Sequence, residues 1–503
     1  MSGLTARIAM AAVTLLAFAL RVLALLSQSL WRDEVDALLF ATRPLPQLLD
    51  MFSQPGQNGP LFFLALRPWL AIAGHSEFSL RFPAALAGTL SVPLIYALLA
   101  RLAGRRVALL AALFVATAPY GIWYGQEAKM YALLTVLVPA SLLAIVEIAR
   151  RGGWAPWAAL YLLTSLTFYT HLLAVLVVAV QALWLLILPW APPRRRVPGI
   201  ILYLLMLGLP YVPFLQWVPP MWTSAYQTGH PFVSLGTIFQ ILAGAFSRGV
   251  LGIQPVSLLP YMIALVAGIA LWPAAAGGRA AGLQAVDREG PRHAEPRLAA
   301  RRGASLLLGI WLLAPPLLIY VVSLGMPIFT DRYLIWILPA YCALLACGVV
   351  ALNRIWRPIG VAVTLVIFAL NGWSVYLQAS QPIKADFRAA ASYVLASHQP
   401  DDVVLYQIPY NRFTFSYYAS RNADPEDPVW TGIEGPYTNN GMTEAEADAW
   451  MATRIGSAQT VWLIMSEAPM WDERNLTGRW LEANATSADH AEFARVTVTR
   501  FVR

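Results

Sequence analysis

The chain contains a series of apolar runs, most of them about 20 residues long, with nearly all of its charge in the stretches between them. A bilayer core is about 30 Å thick, and a helix needs about 20 apolar residues to cross it. Runs of this kind lie near 8–30, 82–100, 107–124, 131–149, 155–170, 172–190, 198–218, 255–273, 304–324, 333–352 and 358–378. They predict eleven transmembrane helices. The first resembles a secretory signal, with Arg7 ahead of an apolar stretch. Its length, the internal Arg21 and the lack of a small-x-small cleavage site favour a retained span.

Composition excludes an ordinary soluble enzyme and a disordered chain. Hydrophobic residues make up 58% and charged residues 12% of the 503, about half the charged fraction usual in soluble domains. The net charge of +8 hides two regions of opposite sign. Residues 1–379 carry 25 Lys and Arg against 11 Asp and Glu, whereas 380–503 carry 10 against 16. A membrane-embedded body with a basic side is therefore expected to continue into an acidic, water-soluble tail. The basic residues form short clusters between apolar runs, which does not suit a nucleic-acid surface. Cys342 and Cys347 share one apolar run and give neither a disulfide framework nor a zinc motif.

Residues 60–74 are too short and too charged to read simply as a span, since they contain Arg67 and Pro68. The positive-inside rule decides their placement. If they lie along the interface, Arg7, Arg101, Arg105, Arg106, Arg150, Arg151, Arg194–Arg196, Arg354, Arg357 and six arginines between 279 and 302 all fall on the cytoplasmic side. The N-terminus is then cytoplasmic and the tail periplasmic or extracellular, in a multi-pass plasma (inner) membrane protein. Asp33, Glu34, Gln126, Glu127, His171 and Arg332 come to the outer face. Segment 274–303, rich in Ala, Gly, Arg and Pro, reads as a cytoplasmic linker inside the membrane domain 1–379. Domain 380–503 reads as a small α/β fold, with strands at 403–408, 460–465 and 493–502 and helices at 387–397, 411–419, 443–454 and 474–483.

Four motifs on the outer side could carry chemistry. Trp31-Arg32-Asp33-Glu34 places an acidic pair just beyond the first span, able to act as a base or to hold a divalent cation. Trp123-Tyr124-Gly125-Gln126-Glu127-Ala128-Lys129-Met130-Tyr131 contains the only lysine before Lys384, and an ammonium there suits a phosphate oxygen. Asn58-Gly59-Pro60 to Arg81-Phe82-Pro83 contains the amphipathic interfacial segment. Phe329-Thr330-Asp331-Arg332-Tyr333 offers a guanidinium fork that matches phosphate. The plainer reading of each is a charge snorkelling at a helix end, a Glu–Lys surface pair or a structural histidine.

In this order and on one side of the membrane, the motifs resemble those of the GT-C superfamily of polytopic glycosyltransferases. The likeness is to the bacterial branch related to protein O-mannosyltransferases, to the aminoarabinose transferase ArnT and to the Rgt-type lipopolysaccharide sugar transferases. It covers about residues 1–380. Its most specific parts are Asp33-Glu34, the block from Gln126 to Tyr131, Ser76 to Pro83, and Arg332-Tyr333. The resemblance implies a GT-C fold with interfacial helices in the first outer loop. It also implies a polyprenyl-phosphate-linked sugar donor, an outer active site and Asp33 as catalytic base. Two positions depart from it. Asn58-Gly59-Pro60 stands where the family often has His-Pro-Pro, which weakens a metal role for that loop. Lys129 stands where Arg is frequent.

The chemistry expected is inverting transfer to an acceptor hydroxyl on a glycolipid, a polysaccharide precursor or a protein. A lipid phosphate is already a good leaving group, so one base suffices and no general acid is needed. Asp33 would take the acceptor proton. Glu34 would position Asp33 or the acceptor, or help to hold a metal. Lys129, Arg332 and Arg81 would clamp the phosphate. Glu127, Gln126, Tyr333, Asn58 and His171 would position the substrates. Asp33, Glu34 and Glu127 are the carboxylates that Mg2+ or Mn2+ would use, although this logic does not require a metal. The rivals are a secondary transporter, which would need mid-membrane ionisable residues and internal repeats, and a non-catalytic scaffold with a soluble sensor domain.

Overall fold

The computed structural model describes residues 3–51, 58–188, 196–212, 215, 229–251, 294–422 and 424–503. The chain forms two compact units, each built from several segments. The first comprises Met1–Ala24, Pro44–Ala65 and Arg81–Gln378; the second comprises Leu25–Arg43, Leu66–Leu80 and Ala379–Arg503.

In chain order the α-helices among the described residues up to 380 are α1 (Gly3–Val22), α2 (Arg32–Thr42), α3 (Leu45–Met51), α4 (Leu61–Ala73), α5 (Glu77–Leu102), α6 (Arg105–Thr117), α7 (Pro119–Gly125), α8 (Tyr131–Arg151), α9 (Trp154–Thr170), α10 (Leu176–Ile187), α11 (Arg196–Tyr211), α12 (Leu235–Arg248), α13 (Ala294–Ser323), α14 (Leu338–Ile355) and α15 (Arg357–Ser380). Among the described residues six helical stretches are long and apolar enough to cross a membrane. They are Leu4–Val22, Glu77–Leu102, Tyr131–Arg151, Leu306–Ser323, Asp331–Ile355 and Arg357–Ser380. The pair α6–α7, bent by 57°, makes a seventh if it counts as one broken span. The bend falls at Pro119, which forces Ala118 out of helical geometry.

The expectation was eleven. Of the others, 155–170 corresponds to α9, while 172–190 and 198–218 contain the shorter helices α10 and α11. Run 255–273 and most of segment 274–303 lie outside the described residues. The first apolar run also ends as helix earlier than hydropathy suggests, at Val22. Beyond it Leu25 and Leu30 are buried in the second unit; hydropathy does not distinguish a side chain facing lipid from one facing a protein core. Helix α4 has 13 residues, about 20 Å at 1.5 Å per residue, too short to span.

Within the first unit α8 packs on α9, α6 on α14, α1 on α6 and α10 on α13. The turn from α8 to α9 uses Gly152 and Gly153, both at positive φ (66° and 87°), where a side chain would be strained. A buried polar knot joins four helices. Gln181 Nε2 donates to Ser141 Oγ and Thr164 Oγ1, each at 2.9 Å, and the Tyr203 hydroxyl donates to Gln181 Oε1 at 2.7 Å.

The tail holds α16 (Phe387–Leu395), β1 (Val403–Tyr406), α17 (Asn411–Ala419), β2 (Ile433–Glu434), α18 (Glu444–Ile455), β3 (Thr460–Met465), α19 (Leu476–Asn484), β4 (Thr486–Phe493) and β5 (Val496–Val502). The sheet runs β2-β1-β3-β5-β4, parallel among β2, β1 and β3 and antiparallel at β5 and β4. Strand side chains alternate between its faces. Val404, Tyr406, Trp462 and Ile464 meet Phe387 and Val394 of α16 and Phe415 of α17. Leu405, Val461 and Leu463 meet Met451 and Ile455 of α18 and Trp480 and Leu481 of α19. Helix α18 starts with a capping box between Thr443 and Glu446. The α/β expectation holds. Strand β4 was not foreseen because it is a mostly exposed edge whose TSADHAEF sequence has no apolar alternation.

Segments 25–43 and 66–80 fold into this same unit. The Leu30 N–H donates to the Tyr418 hydroxyl (2.6 Å), and the Tyr417 hydroxyl donates to the His75 carbonyl (2.8 Å). Gln28 Oε1 accepts from the N–H groups of Ile383 and Lys384 (3.0 and 3.2 Å), while its Nε2 donates to the Gln381 carbonyl (2.7 Å). Arg388 forms a two-pronged bond to Glu77.

Candidate active site

In the second unit Asp33 and Glu34 occupy the first turn of α2, where carboxylates complement the helix dipole. Their environments differ. Asp33 is half-buried, whereas Glu34 is fully buried. Glu34 Oε2 accepts a hydrogen bond from Lys384 Nζ at 2.7 Å, a pair closed off from solvent on both sides. The lysine ammonium also lies 5.8 Å from the Trp31 ring. Glu34 is thus the fully buried member of the pair and Asp33 the more exposed one. Arg67 of α4 donates to the carbonyls of Ala41 and Arg43 at the far end of α2, so α2 is held at both ends. Lys384 went unseen in the sequence because it is 350 residues from Glu34.

In the first unit the loop after α7 and the start of α8 meet the turn after α9 and the Asp331–Tyr333 segment. A chain of rings runs through this region. Tyr120 and Tyr124 have ring centroids 4.8 Å apart, Tyr124 and Tyr131 5.2 Å, Tyr131 and His171 6.3 Å, His171 and Tyr333 4.6 Å, and Tyr333 and His230 6.1 Å. The Arg332 guanidinium stands 5.8 Å from the Tyr131 ring, and the Lys129 ammonium 5.9 Å from that of Phe63. Arg332 and Tyr333 are half-buried, and Glu127, Lys129 and Arg81 are buried. Asn58 is half-buried beside Gly59, where a Cβ would come within 2.0 Å of the Tyr169 carbonyl oxygen. The glycine of Asn58-Gly59-Pro60 is therefore fixed by close approach of two backbones.

Two of the expected site residues serve the scaffold at least in part. Gln126 Nε2 donates to the carbonyls of Leu20 and Arg21 (3.2 and 3.1 Å) and so pins its loop to the end of α1. His171 Nδ1 accepts from the Leu173 N–H at 3.2 Å, which leaves the ring proton of neutral His171 on Nε2. That nitrogen is buried and has no hydrogen-bond partner among the described residues. Burial first, and then the charge of Arg332, push the His171 pKa down to about 3. The ring is a neutral donor at physiological pH. His230 is shifted down as well, by burial and by Arg332. Sequence reading assigns no separate role to Tyr124, Tyr131 or His230, although both tyrosines belong to the motif that holds Lys129.

Arg21, the charge inside the first span, is fully buried. Its terminal nitrogens donate to the carbonyls of Ala17, Ala116 and Val115 at 3.0, 3.2 and 3.4 Å. Glycines at 88 and 125 make room for it. A guanidinium spent on backbone carbonyls is a helix-packing element, not the mid-membrane ion site that a carrier needs. Among the described residues no three His, Cys, Asp or Glu side chains group as metal ligands would. With Lys384 on Glu34, the acidic pair does not offer two open carboxylates to a divalent cation.

Comparison with solved structures places this architecture. ArnT from Cupriavidus metallidurans in the apo state superposes with a TM-score of 0.58 at 15% identity, covering 99% of this chain and 98% of that one. The fold is GT-C-like. ArnT from the same organism bound to undecaprenyl phosphate gives 0.55 at 13% identity over 99% and 98%. The archaeal oligosaccharyltransferase AglB from Archaeoglobus fulgidus, in complex with an inhibitory peptide and a dolichol-phosphate, gives 0.53 at 11% identity over 98% and 74%. Residues 54–217 match the family described as dolichyl-phosphate-mannose-protein mannosyltransferase. That stretch of the GT-C-like fold includes Asn58, Arg81, Gln126, Glu127, Lys129 and His171. No curated protein matches the sequence.

Proposed function

We propose that this chain is a membrane glycosyltransferase that moves a sugar from a polyprenyl-phosphate-linked donor to an acceptor hydroxyl at the outer face of the plasma membrane, with inversion at the anomeric carbon. The observation that most supports it is the fold correspondence with ArnT over nearly the whole of both chains, one of those structures holding undecaprenyl phosphate. The proposal keeps eleven spans, a cytoplasmic N-terminus, a membrane domain 1–379 and an outer domain 380–503.

The acceptor oxygen attacks the anomeric carbon from the face opposite the phosphate. As the new carbon–oxygen bond forms, the bond from that carbon to the phosphate oxygen breaks. Asp33 takes the hydroxyl proton, and polyprenyl phosphate departs with the negative charge. Asp33, half-buried, suits this role better than Glu34, which is fully buried against Lys384. Glu34 positions the turn that carries Asp33. Lys129, Arg332 and Arg81 meet the phosphate as charge builds on it, in surroundings dry enough for such contacts to count. The Nε2–H of His171, without a partner among the described residues, adds a neutral donor, and Glu127, Tyr333 and Asn58 position the substrates. The acceptor is a glycolipid, a polysaccharide precursor or a protein.

The test incubates purified protein with a panel of radiolabelled polyprenyl-phosphate sugars and membrane extract, and then identifies the labelled product. Transfer from one of these donors, lost in Asp33→Asn with membrane insertion intact, is expected. Near-normal turnover of Asp33→Asn removes Asp33 as base, and no transfer from any donor removes the enzyme assignment.

A further inference from the structure

The first unit carries a second feature that the proposed reaction does not use. A groove of about 850 Å3 lies between α1 and α5. Its walls are mostly apolar and lined by small side chains, among them Ala6, Ala11, Ala97 and Ala100. These leave space where larger residues would fill the gap between the helices. Leu15, also on the wall, is largely exposed, as a side chain facing acyl chains would be. Arg7, Arg101 and Arg105 line the groove as well.

Charge at this end of the helices is one-sided. Arg101, Arg150 and Arg151 all contact a single carboxylate, Glu147, at 2.5, 3.7 and 2.9 Å. Arg7, Arg105 and Arg106 stand exposed nearby in sequence or on the groove wall. Among the described side chains at these helix ends, one acid thus faces many bases. The first turn of α6, which begins at Arg105 after Gly104 with no side-chain cap, adds the partial positive charge of a helix N-terminus.

We infer that this groove is a binding site for an anionic glycerophospholipid, with acyl chains along the α1–α5 wall and the headgroup phosphate at Arg7 and Arg105. A free phosphate would gain nothing from the apolar wall, and a zwitterionic lipid would gain little from uncompensated arginines. Basic pockets between transmembrane helices recognise anionic headgroups by this combination. The site lies at the arginine-rich ends of the spans and is independent of the transfer reaction.

Native mass spectrometry of the full chain, released from detergent and titrated with phosphatidylglycerol or phosphatidylcholine, tests the inference. Phosphatidylglycerol should be retained on the order of tenfold more strongly, and Arg7→Gln/Arg105→Gln should bring the two lipids close to parity. Arg357→Gln, a basic residue not on the groove wall, should leave the preference intact. Ala97→Trp, which fills the groove without changing charge, should lower retention of both lipids. Equal retention by the wild-type protein overturns the inference, and so does a preference that survives the double arginine change. Arginine-dependent displacement of phosphatidylglycerol by undecaprenyl phosphate would overturn the choice of occupant. Arg7 and Arg105 are exposed, so their replacement leaves the packing untouched.

Discussion

Asp33 and Glu34 show how little adjacency says about role. Both are acids in one helical turn, yet one is half-open and the other is sealed against an ammonium. Removing one partner of a buried pair strands a charge, at a cost of about 3 kcal/mol or more. Lys384→Met should therefore destabilise the protein markedly, whereas Glu34→Gln with Lys384→Met should cost less than the single change. A thermal-unfolding double-mutant cycle measures this. If the pair positions Asp33, Lys384→Met also lowers kcat more than it raises the donor KM. Arg332→Ala should do the opposite and weaken donor affinity more than acceptor affinity; equal losses for both substrates would argue against a phosphate contact. His171 gives a pH prediction. Its folded pKa of about 3 lies below the usual 6.5 of an unfolded histidine. Above pH 6.5 neither state holds the extra proton, and the stability is fully present. As pH falls from 6.5 towards 3 the unfolded state takes up a proton that the folded state refuses, and stability falls by about 1.4 kcal/mol per unit. His171→Gln should remove that part of the acid sensitivity, which chemical denaturation at pH 7 and pH 5 would reveal.

Among the helices, sequence patterning worked where burial and periodicity coincide. The helix expected at 387–397, found as Phe387–Leu395, and the 460–465 strand fall where the residues predicted, because apolar side chains recur on one face or fill a central strand. It worked less well where one apolar run serves two purposes, as at 8–30, and where an edge strand is polar, as in β4. The seat of Arg21 could not be read from hydropathy either, since a charge in a span is neutral evidence until its carbonyl partners and the opposing glycines are in place. A Cβ at position 88 would lie 2.7 Å from Arg21 Nε. Gly88→Ala should thus cost about 2 kcal/mol by displacing a buried guanidinium from its hydrogen bonds. Combining it with Arg21→Met should recover part of the loss. The melting temperature of the detergent-solubilised protein follows both effects.

For the whole molecule, the division near residue 380 read from charge is only part of the organisation, since the acidic tail shares its compact unit with segments 25–43 and 66–80. A chain ending at residue 379 should lose the partners of Gln28, Leu30, Glu34, His75 and Glu77 together. Segment 25–43 is expected to become protease-sensitive in that truncation and to resist cleavage in the full chain, as limited proteolysis with peptide mapping would show. What the amino-acid sequence determined by itself was what local composition can encode: apolar runs suited to a bilayer, arginines gathered between them, an α/β tail, and acids and bases in motifs like those of lipid-linked sugar transferases. Each of these depends on residues near one another in the chain. Only the tertiary structure decided that Lys384 pairs with Glu34, that His171 and Tyr333 share an aromatic cluster with Arg332, and that segments 25–43 and 66–80 belong to the tail's unit. Those pairings join residues tens to hundreds of positions apart, and packing, not periodicity, selects which distant groups meet.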